Sequence, residues 1–187
     1  MKRIFVFFVF FAVLALTVAT AQDASAGQAV AELSFTFTKQ SGHSSNQFAV
    51  WVEDAGGVYV KTLYATRYTA NGGYKRRATS LPQWVKQSGL AGMSKAQVDA
   101  LTGATPKTGT LTYRWDGTDS LGAALPAGNY VIRLEGTLRG ENQVYYRAPV
   151  QIGQEGVRPG AVEVSVEYTG TANAERSMIS GVKARTL

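Results

Sequence analysis

The chain has 187 residues with a formal net charge of +6, one His and no Cys. The absence of Cys excludes disulfides, thiolate nucleophiles, iron–sulfur clusters and Cys-ligated zinc, and a single His excludes metal motifs that need two. The composition therefore points to no reaction, and no cofactor is predicted.

The N-terminal segment has the pattern of a secretory signal peptide. A short basic start precedes an apolar run over residues 4–18, and small residues follow up to Ala21. The run has about 15 residues, whereas a transmembrane helix needs roughly 20. We predict a signal peptide over residues 1–21, cleaved after Ala21 or, as the second choice, after Ala26. The protein is then periplasmic or secreted, with no membrane span after cleavage.

Cleavage at this position changes the charge balance only slightly. It would remove two of the 19 basic residues and none of the 13 acidic residues, which leaves a net charge of +4. This excess is too small to indicate binding to nucleic acid, which an exported protein would rarely meet. No nucleic-acid partner is predicted.

Seven segments alternate apolar and polar residues, as strands with one buried and one wet face do. They lie at residues 33–37, 48–52, 58–64, 111–115, 130–134, 144–152 and 162–168. Turn-forming residues at 54–57 and at 140–142 predict two hairpins. The predicted fold class is all-β: an immunoglobulin-like antiparallel β-sandwich of about seven strands, spanning residues 28–169.

Residues 68–109 interrupt this alternation and predict a short helical insertion, folded onto one edge or end of the sandwich. Ser80 is placed to cap a helix that runs through Trp84, and Ser94 is placed to cap a second helix. Long insertions are often functional, so we expect the binding surface here. Residues 170–187 contain few apolar side chains and are predicted to form a flexible C-terminal tail.

Six residues form the predicted interaction surface. His43, in a polar loop, would be a metal ligand or a base only with partners brought by the fold, and a lone His is more often structural. Trp51 falls on the polar face of its strand, where it is either an exposed stacking platform or covered by the insertion; coverage is favoured. The set comprises His43, Trp51, Lys75, Arg76, Arg77 and Trp84.

The basic triplet in this set allows two interpretations. Together with neighbouring tyrosines, it could meet an anionic partner such as a phospholipid surface or an acidic polymer. Alternatively it is a solvated loop, which is the favoured interpretation because three charges give little more than non-specific attraction. Phosphate-loop, calcium-loop and serine-hydrolase patterns are missing from the sequence, so no catalytic, cofactor-binding or metal residue is predicted. We predict that the protein is not an enzyme.

One turn motif is the most specific signal in the chain. It comprises Trp115-Asp116-Gly117-Thr118-Asp119-Ser120-Leu121-Gly122 and Leu125-Pro126-Ala127-Gly128-Asn129-Tyr130. The Asp and Gly residues favour turns, and Tyr130 is placed to reach back to the backbone, as in a tyrosine corner. The motif resembles that of the immunoglobulin-like domain of flagellar hook-capping (FlgD-like) proteins, and it implies fold rather than function. The predicted structural residues are Trp115, Asp116, Gly117, Asp119, Gly122, Pro126, Gly128 and Tyr130.

Two further stretches of the sequence are distinctive: residues 43–66, which begin His43-Ser44-Ser45-Asn46-Gln47-Phe48, and Gly103-Ala104-Thr105-Pro106-Lys107-Thr108-Gly109. Through them the wider chain, over roughly residues 30–153, resembles a family of predicted periplasmic proteins, domain of unknown function 2271. Members of that family often accompany flavoprotein-type membrane reductases or flavin transferases. The resemblance therefore implies a redox context in the cell envelope.

Three functions follow from these observations. The first is an exported, non-enzymatic β-sandwich that acts as an accessory or interaction protein, with an envelope protein as its partner. The second is an envelope redox accessory that works with a membrane flavoprotein. The third is a protein related to flagellar hook assembly, which only the shared turn motif suggests.

Overall fold

The computed structural model describes residues 29–41, 45–153, 158–170 and 176–187. These residues form two packed β-sheets, with short helices layered on one of them. The all-β sandwich is confirmed. The predicted signal peptide, both predicted cleavage sites and His43 lie outside the described residues. Within the described part of the chain, no helix has the length and apolar character to span a bilayer.

The described residues contain ten strands rather than seven. The strands are β1 (Ala31–Phe37), β2 (Gln47–Asp54), β3 (Tyr59–Thr66), β4 (Thr102–Gly103), β5 (Gly109–Trp115), β6 (Gly128–Thr137), β7 (Gln143–Ile152), β8 (Gly160–Val162), β9 (Ser165–Thr169) and β10 (Ile179–Thr186). The four-stranded sheet has the order β5-β1-β10-β8, and the six-stranded sheet has the order β4-β3-β2-β6-β7-β9. All neighbours are antiparallel except β3 and β4.

The helices lie mainly between β3 and β4, inside the predicted insertion. They are a kinked turn at Thr69–Gly73, α1 (Tyr74–Arg76), α2 (Pro82–Gln87), a 3-10 turn at Leu90–Gly92 and α3 (Lys95–Leu101). A further 3-10 turn at Arg176–Met178 precedes β10. We refer to the segment from Thr69 to Leu101 as the helical layer.

The two predicted hairpins are confirmed. In the turn between β2 and β3, the side chain of Asp54 accepts hydrogen bonds from the backbone N–H groups of Gly56 and Val58, at 2.8 and 2.9 Å. In the turn between β6 and β7, the N–H of Leu138 donates to the carbonyl of Asn142 at 2.9 Å. Asp and Asn are favoured in turns because their side chains bond nearby backbone groups.

The main core lies between the two sheets. The inward faces of β1 and β2 contribute aromatic and aliphatic side chains that are almost completely buried. Phe35 and Phe48 meet edge to face, with ring centroids 5.4 Å apart, which is a favoured aromatic geometry. The alternation seen in the sequence therefore identified the inward faces of β1 and β2 correctly. It was wrong for β3, because Val58 is 63% exposed and the Thr62 hydroxyl faces the helical layer, where it accepts from Trp84.

The helical layer covers the outer face of the six-stranded sheet rather than an edge or an end of the sandwich. Ala49 and Trp51 of β2 and Ala65 of β3 pack there against Leu81 and Trp84 of the layer, and this contact forms a second apolar core. The polar face that the alternation predicted for β2 is therefore buried, because the layer lies on it.

The helix starts agree only in part with the predicted caps. Ser94 caps α3 as predicted: its hydroxyl accepts from the N–H of Gln97 at 3.3 Å, and the Gln97 side chain accepts from the N–H of Ser94 at 2.8 Å. Ser80 does not cap α2, because Leu81 is the capping residue and the Ser80 hydroxyl is hydrogen-bonded to Thr69 at 2.6 Å.

Two predictions about the C-terminal part of the sandwich are wrong. The seventh predicted strand is two strands: β8 pairs with β10 in one sheet and β9 pairs with β7 in the other, because the chain crosses between sheets at residues 163–164. The predicted flexible tail contains β10, an inner strand hydrogen-bonded to both β1 and β8.

Candidate interaction surface

The helical layer buries both tryptophans that the sequence assigned to the interaction surface. Trp51 and Trp84 have no exposed surface. The Trp84 indole N–H donates to the Thr62 hydroxyl at 2.9 Å, and the Trp51 indole N–H donates to Glu53 at 2.8 Å. Of the two alternatives for Trp51, coverage by the insertion is the one found. Both residues are therefore removed from the predicted surface, because α2 lies on the sheet at this point.

A buried carboxylate joins the helical layer to the sheet. Glu135 of β6 is fully buried, and its two oxygens accept from the backbone N–H groups of Gln83 and Trp84, at 3.2 and 2.7 Å. These are orphan donors at the start of α2, which Leu81 cannot satisfy because its side chain has no acceptor. Burial raises the pKa of Glu135 to about 7. Both of its oxygens bond to the start of α2, so Glu135 positions this helix on the sheet.

Arg133 makes a second connection between sheet and layer. Its Nη2 donates to the Gln83 side chain at 2.9 Å, its Nε lies 3.7 Å from Glu53, and its guanidinium lies 5.8 Å from the centre of the Trp51 ring. Burial lowers the pKa of Arg133, while the Glu53 charge opposes this effect. The contacts of Arg133 and Glu135 hold α2 in one position on the sheet.

The first exposed feature of the layer is a cationic depression of about 570 Å³, which we call the basic hollow. Arg67, Lys75 and Arg76 line it with exposed side chains, and no acidic residue lines it. Tyr68, at its rim, is 51% exposed. The full lining is Arg67, Tyr68, Asn71, Gly72, Gly73, Lys75 and Arg76. Lys75 and Arg76 thus lie together at a surface, as predicted, and Arg67 joins them.

Arg77 has a different role from the two cations before it. Its Nη2 donates to the carbonyl groups of Leu138 (3.4 Å) and Gly140, and its Nε donates to the Thr79 hydroxyl at 3.2 Å. These bonds tie the helical layer to the turn between β6 and β7. The interaction-surface prediction is therefore corrected for Arg77, because its donors are engaged within the molecule.

The second exposed feature is an apolar groove of about 410 Å³ between the helical layer and the Asp119–Gly122 turn, which we call the Leu121 groove. Leu121 is 90% exposed at its border. The Asp119 side chain fixes this turn by accepting from the N–H groups of Leu121 (2.8 Å) and Ala123 (2.9 Å). The lining is Tyr59, Ser88, Gly89, Gly92, Met93, Gln97, Ala100, Leu101, Ser120 and Leu121.

The two aspartates of the turn motif have internal partners. Asp116 accepts from Thr118 at 2.7 Å and from Lys61 at 3.1 Å. Burial opposes ionisation of Asp116, but these hydrogen bonds outweigh it and hold its pKa below the usual value. Asp119 fixes its own turn. Both carboxylates thus have the turn-stabilising role, and no group of three or more His, Asp or Glu fit for a metal occurs in the described ranges.

Tyr130 forms the predicted hydrogen bond to the corner. Its hydroxyl donates to the carbonyl of Pro126 at 2.9 Å, and its ring meets the fully buried ring of Trp115 edge to face, with 5.0 Å between centroids. This contact anchors the loop at residues 116–127 to the start of β6.

Removing the Tyr130 hydroxyl tests this anchor. We expect Tyr130→Phe to lower the free energy of unfolding by about 1 kcal/mol, because the Pro126 carbonyl loses its donor while the ring packing remains. Urea unfolding monitored by tryptophan fluorescence measures the change. Tyr68→Phe, at a half-exposed position, serves as the control and should alter stability by less than about 0.5 kcal/mol. Equal effects of the two substitutions would show that the hydroxyl contributes nothing specific.

The sequence did not indicate the Leu121 groove or the part played by Glu135. Leu121 occupies a turn, where no periodic pattern marks an apolar residue as exposed. The alternation of β6 places Glu135 on the face predicted to be exposed to solvent, and only the overlying helical layer buries it. The sequence also did not connect Arg67 with Lys75 and Arg76, because Arg67 lies eight residues before Lys75 in the chain. The fold brings all three to the same hollow.

The fold defines an all-β sandwich domain with a helical layer fixed to one face. The chain belongs to the family of predicted periplasmic proteins known as domain of unknown function 2271, whose model matches residues 29–171. This membership confirms the predicted periplasmic or secreted location. No curated protein and no solved structure is significantly similar to the chain.

Proposed function

We propose that the protein is a non-enzymatic accessory domain of the cell envelope that docks onto an envelope protein through the Leu121 groove. The observation that supports this is the exposure of a large apolar side chain on a turn with a fixed conformation. Leu121 presents 90% of its surface to solvent while Asp119 holds the turn in place. Because the turn already has a fixed conformation before binding, less conformational entropy is lost when a partner binds.

The composition of the groove suits a protein partner. Met93, Leu101 and Leu121 provide apolar surface, and the side chains of Ser120 and Gln97 supply polar groups at the same site. Protein interfaces combine an apolar centre with a polar rim. Burying a leucine side chain completely contributes roughly 1.5–3 kcal/mol, which is enough for one residue to dominate such a contact.

Substitution at Leu121 tests the proposal. We expect Leu121→Ser to reduce capture of the partner from detergent-solubilised envelope extract by about tenfold or more, because the central apolar contact is lost. The measurement is affinity capture with quantitative mass spectrometry, followed by titration of the identified protein. Val58→Ser is a matched control, since Val58 is also an exposed apolar residue in a turn, at 63% exposure. Equal capture by both variants would refute the proposed docking site.

Deleting the helical layer is a poor alternative to this substitution. The layer covers Ala49, Trp51 and Ala65, so its removal would expose the outer core of the six-stranded sheet. Loss of capture would then reflect damage to the fold.

A second candidate is an envelope redox accessory that works with a membrane flavoprotein. The family resemblance, which residues 103–109 help to carry, suggests this role. At the start of this stretch the Tyr64 ring packs directly against Gly103, and the Tyr64 hydroxyl donates to the carbonyl of Ala104 at 2.6 Å. Flavin absorbance, or an intact mass above that of the polypeptide, in protein isolated from the envelope would support this role. A colourless sample with the polypeptide mass would contradict it.

A role in flagellar hook assembly receives no support from a specific surface. The turn motif that suggested it forms hydrogen bonds that stabilise the loop between β5 and β6. A motif of this kind is informative about fold and not about function.

A further inference from the structure

The basic hollow and the Leu121 groove are different sites, since they share no lining residue. Its three cations, Arg67, Lys75 and Arg76, are exposed, and the described residues give them no salt bridge. The Arg67 charge contributes slightly to lowering the pKa of Asp99, but Asp99 is not part of the hollow and is itself paired with Lys95 at 2.6 Å. The hollow therefore retains a net positive charge.

The aromatic rim of the hollow is held in place by close packing. A Cβ on Gly73 would lie 2.6 and 2.7 Å from ring carbons of Tyr68, so only glycine leaves room for this ring. The ring is nevertheless half exposed. Tyrosine beside Lys and Arg is the combination found where proteins meet the headgroup region of a membrane, because the ring is amphipathic and the cations face phosphates.

We propose that the basic hollow binds the surface of an anionic phospholipid bilayer, with Arg67, Lys75 and Arg76 against the headgroup phosphates and Tyr68 at the interface. An extended charged surface suits the hollow better than a single phosphate ion does. Its cations are all exposed, and exposed charges attract anions without the buried donors that select one ion. A periplasmic protein also lies next to a bilayer, whatever protein it binds.

Vesicle binding tests the proposal. The probes are vesicles of phosphatidylglycerol mixed with phosphatidylcholine and vesicles of phosphatidylcholine alone, and the protein is the exported form isolated from the periplasm. The test variant carries Arg67→Gln, Lys75→Gln and Arg76→Gln. The control variant carries Lys39→Gln, Lys107→Gln and Lys183→Gln, which removes the same charge from exposed positions outside the hollow.

We expect the wild type and the control variant to sediment with the anionic vesicles and not with the neutral ones. The hollow variant should bind the anionic vesicles about 100-fold more weakly, which corresponds to roughly fivefold for each cation near an anionic surface. Binding of the wild type should fall as salt is added. Tyr68→Ser should weaken binding at constant charge, which a purely electrostatic contact would not show.

Three outcomes would overturn the proposal. Equal binding by the hollow and control variants would mean that net charge alone is responsible. Displacement of the protein from vesicles by millimolar inorganic phosphate at constant ionic strength would indicate a site for a phosphate ion. Failure of the wild type to bind anionic vesicles would remove the membrane contact. The capture experiment with Leu121→Ser uses a detergent extract, which contains no bilayer. Its result therefore tests the docking proposal independently of membrane binding.

Discussion

Deletion of residues 179–187 should abolish the cooperative unfolding transition of the protein. These residues include all of β10, which pairs with β1 on one side and β8 on the other. Without β10, the inward-facing apolar residues of β1 lose cover, and β8 has no partner strand in its sheet. Near-ultraviolet circular dichroism during urea unfolding measures the effect. A flexible tail, as the sequence alone predicted, would allow the truncated protein to unfold like the full chain.

A pair of substitutions in β10 provides a test that does not depend on truncation. Ala184 is 5% exposed and lies between Leu33 and Val162 of the neighbouring strands, whereas Lys183 points to solvent. Ala184→Asp should lower the free energy of unfolding by about 3 kcal/mol or more, because it buries a carboxylate without a partner. Lys183→Asp should change it by less than about 0.5 kcal/mol. Similar effects at both positions would contradict the placement of β10.

The contribution of Glu135 to stability should fall as the pH rises from about 4.5 to about 7. Burial raises the pKa of this carboxyl to about 7, whereas the unfolded chain has the ordinary value near 4.5. Between these values the unfolded state releases a proton that the folded state retains, so rising pH favours unfolding. The shift corresponds to about 3 kcal/mol, present in full below pH 4.5 and lost above pH 7.

The matched variant for this prediction is Glu135→Gln, which has nearly the same shape and no titration. We expect the difference in unfolding free energy between wild type and variant to change by about 3 kcal/mol between pH 4.5 and pH 8, measured by urea unfolding. The charged group acting on Glu135 is Arg133, which keeps its proton throughout this range. A difference that is constant with pH would show that the carboxyl titrates normally.

Local sequence patterns were sufficient for the parts of the fold that depend on neighbouring residues. Both hairpin turns were predicted because Asp54 and Asn142 bond to backbone groups only a few residues away. The α3 start was predicted because Ser94 and Gln97 cap each other within one turn. The inward faces of β1 and β2 followed from alternation, since successive side chains of a strand point to opposite faces of its sheet.

The strand β10 escaped prediction because its alternation is interrupted. Ser34 and Thr36 of β1 are two residues apart, but their partners Lys183 and Ser180 are three residues apart. The extra residue forms a bulge, and Gly181 adopts a positive φ of 59° there. The bulge shifts the alternation of buried and exposed residues by one position. The buried residue before it, Ile179, is odd-numbered, and the buried residue after it, Ala184, is even-numbered. A search for one constant period does not detect such a strand.

The candidate surfaces were predicted less well than the fold, because exposure depends on which elements meet. Trp51 alternates as a surface residue does, yet α2 covers it. Arg77 belongs to a basic triplet, yet it bonds to carbonyls more than sixty residues away.

Residue order alone was enough to predict a β-sandwich with a helical insertion, since hydrophobic periodicity and turn chemistry act over short distances along the chain. Folding in three dimensions settled which surfaces remain for partners. It buried Trp51, Trp84 and Glu135 beneath the helical layer and left Leu121 and the basic hollow exposed. The physical reason is that burial is a property of contacts between distant segments, which no local pattern encodes.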